Sequence, residues 1–155
     1  MTAEDEVDFL ADHGGDGTEA VISEWSAEGE RQARARVALQ ALTSAVAGSV
    51  SAKEAAEILG VDSSRISRRL GKSLWGFGID GQRRIPRWQF LDSAALLPGL
   101  DVIVPAIPRG VTPAVLEAFM RTPQADFDEQ TPIEYLVAGG DPRPVAELVA
   151  DLGRW

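Results

Sequence analysis

A chain of 155 residues with 45% apolar side chains can build one medium domain or two small ones around a real core, and its lack of cysteine excludes a disulfide framework, thiolate metal sites and a cysteine nucleophile. The acidic start Met1–Asp12 is unlike a secretory signal and no run of roughly 18 apolar residues offers a membrane span, so a cytoplasmic protein is expected. The formal net charge of −9 would by itself disfavour nucleic acid, but it is unevenly spread: three Arg against ten acids over 1–49, eight Lys/Arg against five acids over 50–93, and four Arg against nine acids over 94–155. Only the middle third is basic, which is the electrostatic footprint of a DNA-reading module between acidic flanks.

In chain order, residues 1–26 read as an acidic disordered tail, with Gly14, Gly15 and Gly17 and no sustained apolar period. Residues 27–48 read as a linker or dimerisation helix. Acids lead, Arg31, Arg34 and Arg36 follow, and Val37, Leu39, Leu42, Ala45 and Val46 give an apolar face ended by Gly48. Residues 49–93 read as the DNA-binding domain. Ser51–Ala52–Lys53–Glu54 fits a capping box, Ala55, Ala56, Ile58 and Leu59 continue the helix, and Gly60 supplies a left-handed end. Asp62 or Ser63 caps a second helix, Ser63–Leu70, whose inner face is Ile66 and Leu70.

That sequence is a helix-turn-helix pattern. The outer face of the second helix carries Ser64, Arg65, Ser67 and Arg68, with Arg69 and Lys72 beside them; arginine can pair bidentately with guanine, while serine and lysine suit phosphates. Trp75, Phe77 and Ile79 then alternate with glycines, Asp80–Gly81 is a strong hairpin turn, and Gln82–Arg83–Arg84–Ile85 returns. A hairpin after such a helix reads as a wing, with Arg83, Arg84 and Arg87 near the DNA backbone, and Trp75, Phe77, Ile85 and Trp88 as core.

After about residue 94 prolines become frequent, and residues 94–155 read as a partner-binding bundle of short helices. One helix lies near Leu96–Ala106; three more open at Thr112–Pro113, Thr131–Pro132 and Asp141–Pro142, each a polar cap followed by proline where the missing amide costs nothing. Gly139–Gly140 ends the third of these four helices. The fold class expected is therefore mainly α: a winged helix-turn-helix with a short β-hairpin, then a small C-terminal helical bundle. His13 stands alone, Asp126, Asp128 and Glu129 read as a solvated run, and no catalytic residues, metal site or cofactor are expected, so the chain is not read as an enzyme.

Two resemblances add to this reading. Ser51 to Val61, then Arg65–Ile66–Ser67–Arg68–Arg69–Leu70, then Arg84–Ile85–Pro86–Arg87, resembles the excisionase/MerR-like winged helix-turn-helix over about 40 residues. Thr131 to Pro142, followed by Val145–Ala146–Glu147–Leu148, resembles the toxin-binding domain of Xre/MbcA/ParS-type antitoxins, although that family's usual N-terminal half is a wingless helical domain. The resemblance implies a type II antitoxin, a homodimer that represses its own promoter on double-stranded DNA and neutralises a RES-domain, NAD-consuming toxin. Tyr135, Gly139, Gly140 and Asp141 would then face the toxin, with Leu152, Gly153, Arg154 and Trp155 as a C-terminal plug. The alternatives are a stand-alone regulator whose C-terminal domain dimerises or senses a ligand, and an adaptor that uses an excisionase-like fold for protein contacts.

Overall fold

The computed structural model describes residues 26–154. The chain divides into two compact units, residues 1–40 and 41–155. In the first unit the described residues, 26–40, are helical and carry two exposed ion pairs, Arg31–Glu28 at 2.9 Å and Arg34–Glu30 at 3.3 Å, at the spacing that brings side chains together on a helix. The helix, α1, continues to residue 47, and Gly48 closes it by donating to the Ser44 carbonyl.

The second unit is mainly helical with one three-stranded antiparallel sheet in the order β1-β3-β2. The strands are β1 (Ser49–Ser51), β2 (Phe77–Ile79) and β3 (Gln82–Pro86). Val50 lies opposite Ile85, and Gly78 opposite Arg83. Asp80 and Gly81 both take positive φ, 50° and 77°, which is the mirror-image turn whose twist matches paired strands.

Ser51 ends β1 and caps α2 (Ala52–Leu59): its Oγ accepts from Glu54 N–H while the Glu54 carboxylate accepts from Ser51 N–H. Gly60, at φ 67°, turns the chain into α3 (Ser63–Arg69), which Asp62 precedes as N-cap residue. Val50, Ala55, Ala56, Ile66, Leu74 and Ile85 form the first core cluster. The small Ala55 and Ala56 let α2 approach α3, and Ile66 is the fully buried anchor of α3.

The remaining helices are α4 (Leu100–Ile103), which runs on as a 3-10 turn over Val104–Ala106, then α5 (Pro113–Met120), α6 (Pro132–Val137) and α7 (Pro142–Ala150). The segment expected to be one helix from Leu96 to Ala106 is therefore shorter and tightens where Pro105 removes an amide donor. The polar residue before each proline caps as its type dictates: Thr112, Thr131 and Asp141 accept from Val115, Glu134 and Arg143 N–H. These helices enclose a second cluster that includes Leu100, Ile103, Leu116, Met120, Leu136, Val145 and Val149.

The stretch around residue 94, where the composition changes, joins the clusters. Trp88, two residues past β3, is buried in the second cluster, and Leu96 packs against both. Leu97 N–H donates to the Gln89 carbonyl, and Phe90 pairs with Leu96. Residues 41–155 thus form one compact unit that contains both clusters.

Candidate nucleic-acid interface

Burial of Ile66 fixes which face of α3 turns outward. On a helix of 3.6 residues per turn, Ser64 and Arg68 lie opposite Ile66, and Arg65 and Ser67 flank them on either side. All four are exposed, as is Lys72 beyond the helix end; Arg69 is half-buried on the flank nearer the core. The Arg69 carbonyl accepts from the amides of Lys72, Ser73 and Leu74, so the turn that carries Lys72 is folded back onto the end of α3.

Among the described residues, Arg65, Arg68, Arg69, Lys72 and Arg83 have no acid partner; the ion pairs lie elsewhere, on α1, α5 and the C-terminal helices. Ser67 Oγ donates to the Ser63 carbonyl at 3.4 Å, and the Ser64 hydroxyl faces solvent. Arg83 stands on β3 across from Gly78, where no opposing side chain competes for space, and it lines the same cleft as Gly71, the neighbour of Lys72. The cleft thus brings Arg83 of the hairpin and the backbone turn after α3 to one border.

Arg84 is used differently from its neighbours. Its guanidinium is half-buried and donates to Ser49 Oγ at 3.0 Å, to the Ser49 carbonyl at 2.9 Å and to the Val46 carbonyl at 3.4 Å. It ties β3 to the C-terminal end of α1, where a cation also complements the helix dipole. Arg87 is exposed, and its backbone N–H donates to the Gly48 carbonyl. The hydrogen bonds from Ser51, helped by the fields of Arg84 and Arg87, hold the Glu54 carboxyl below its ordinary value of 4.5. Arg83 and Arg84 are alike in the sequence, and strand register decides which of the two adjacent arginines meets Ser49.

Of the residues expected to meet a protein partner, Tyr135, Gly139, Gly140 and Asp141 lie at the α6–α7 corner, and Leu152 and Arg154 lie in the 3-10 turn that follows α7. Tyr135 stacks on Phe127, with ring centroids 4.3 Å apart, and its ring occupies the space where Gly140 would carry a Cβ, at 2.4 Å from the nearest ring carbon. Gly139 takes φ 94° at the end of α6. Asp141 accepts from Arg143 N–H at 3.0 Å and pairs with its guanidinium at 2.7 Å; those hydrogen bonds hold its carboxyl below the ordinary value and raise Arg143. A cleft of about 300 Å³ beside Tyr135 is bordered by Asp126, Glu147 and Asp151. Leu152 is half-buried against the second cluster, and Arg154 is exposed and paired with Asp151 at 3.5 Å. Trp155, like the tail with His13, lies outside the described residues.

Among the described residues, no group of three or more acids or histidines could hold a metal ion, and no helix is long and apolar enough to cross a membrane. Comparison with family models, with curated proteins and with solved structures finds no match.

Proposed function

We propose that this chain is a DNA-binding repressor in which the α2–α3 corner and the β2–β3 hairpin act as a winged helix-turn-helix. In this reading α3 enters the major groove, Ser64, Arg65 and Arg68 read base edges, and Lys72, Arg83 and Arg87 engage phosphates. The observation that carries the reading is that Arg65, Arg68 and Lys72 are exposed and free of acid partners among the described residues, in a chain of net charge −9. Unpaired cations on one helix face are what a polyanion would neutralise with counterion release.

The test is fluorescence anisotropy of the full chain on duplex DNA from its own promoter, titrated at several salt concentrations. Affinity should fall steeply with salt. Replacing Arg65 and Arg68 together by Ala should cost about 1–3 kcal/mol for each base edge that is no longer read, with an unchanged circular dichroism spectrum. Unaltered affinity in that variant would refute the assignment of α3.

The wider reading takes the chain as the antitoxin of a type II pair, a homodimer that holds a toxin, of the RES-domain type, through its C-terminal helices. The acidic border of the cleft beside Tyr135 supports a basic partner surface. Co-expression with the protein encoded next to it should yield a complex that Asp126→Lys with Glu147→Lys weakens. A complex insensitive to that change moves the contact elsewhere, and a chain that forms none while still binding its promoter is a stand-alone regulator.

A further inference from the structure

A cleft beside the hairpin has a volume of about 890 Å³, within the range of small-ligand sites. Its lining combines two chemistries. Trp75 and Phe77 supply a half-buried aromatic surface, with ring centroids 6.1 Å apart and planes tilted by 37°, and Ile107 and Pro108 add apolar contact. Among the described residues, Arg83 and Arg109 supply the only charges of the lining, and no Asp or Glu borders it, although acids outnumber bases in the chain by nine.

Neither guanidinium has an ion pair or a side-chain hydrogen bond among the described residues, and both are exposed. Two unpaired cations bordering one cleft favour an anion, and a guanidinium matches phosphate oxygens bidentately. The aromatic surface favours a planar π-system, because ring faces stack and every nucleobase offers one. An acid-free border also rejects cationic aromatics that a tryptophan face alone would accept.

We propose that this cleft binds a nucleoside monophosphate, with its base against Trp75 and Phe77 and its phosphate between Arg83 and Arg109. The site requires neither duplex DNA nor a toxin, so it stands whether or not the repressor reading holds. If both hold, Arg83 belongs to both, and the bound nucleotide competes with the DNA backbone for it.

The experiment follows the tryptophan indole N–H signals of the ¹⁵N-labelled full chain during titration with adenosine 5′-monophosphate, the Trp75 signal being assigned from Trp75→Phe. A saturable shift of that signal is expected, with adenosine and inorganic phosphate each binding at least about tenfold more weakly, because each supplies half of the recognition. Arg83→Gln combined with Arg109→Gln should weaken the nucleotide by at least about tenfold and leave the remaining spectrum unchanged, since both side chains are solvent-facing. The proposal is overturned by the lack of a saturable Trp75 shift up to roughly 10 mM nucleotide. It is equally overturned if adenosine or phosphate binds as tightly as the nucleotide, or if the double variant keeps its affinity. Retained promoter binding alongside any of these results leaves the DNA reading intact.

Discussion

Gln89 brackets the backbone of Trp75: its carboxamide oxygen accepts from Trp75 N–H at 2.7 Å, and its nitrogen donates to the Trp75 carbonyl at 2.8 Å. The side chain is fully buried and does for Trp75 what a neighbouring strand does for β2, two residues further on. Gln89→Leu keeps the approximate volume and strands both backbone groups. It should destabilise the chain by about 1–3 kcal/mol for each group left unpaired. Chemical denaturation checks this, and a loss below about 0.5 kcal/mol, the range of neutral surface changes, would contradict it.

Gly140 is required by the Tyr135 ring rather than by its own backbone angles. In Gly140→Ala the added Cβ would lie 2.4–2.6 Å from three ring carbons, forcing the ring off Phe127. A cost of about 1–3 kcal/mol is expected, as for other overpacked sites. The cost should shrink when Tyr135→Leu is combined with it, because the obstructing ring is then gone. Equal penalties in both backgrounds, measured by thermal unfolding, would show that the ring is not the cause.

Adjacent arginines should separate by assay. Arg84→Ala removes three hydrogen bonds to Ser49 and Val46 and should lower stability by about 1–3 kcal/mol. Arg68→Ala removes no hydrogen bond or ion pair among the described residues and should leave stability within about 0.5 kcal/mol while weakening DNA binding. Urea titrations of the two variants, read beside promoter binding, decide it; the reverse ranking in stability would overturn the division of roles.

Glu54 and Glu134 are held below their ordinary value of 4.5, chiefly by backbone hydrogen bonds within their capping boxes with Ser51 and Thr131. A carboxyl depressed in the folded state contributes stability that is fully present above its unfolded value and is lost as pH falls through its folded value. The melting temperature should therefore hold steady down to about pH 4.5 and decline below it. Glu54→Gln with Glu134→Gln keeps the accepting oxygen but cannot titrate, so the acid-side decline should become shallower. Superimposable pH profiles would remove the capping boxes from the cause.

Much of this architecture is written locally. Ser51 with Glu54, Gly60, Asp80–Gly81 and Thr131 with Glu134 each fix a helix end or a turn through neighbours within four residues, so they can be read from sequence. The exposed face of α3 is legible for the same reason, because Ile66 sets the inward direction. The three-residue strand β1 is not: it is too short to show a period and exists because Arg84–Ile85–Pro86 pairs with it. Gln89 and Arg84 look like surface residues in their own segments; with partners 14 and 35 residues away, Gln89 is buried and Arg84 half-buried. Leu152 reads as part of a projecting tail, yet the second cluster, assembled from distant helices, gives it cover.

Leu96, packed against both clusters, works as a keystone between spans laid from opposite sides. Trp88 reaches across the same joint from the strand side. A segment ending at residue 93 carries the indole without most of its lining, and one starting at 94 carries the lining with a hole in it. A chimera that exchanged either half would have to bring the joint, and both surfaces that grip it, along with it.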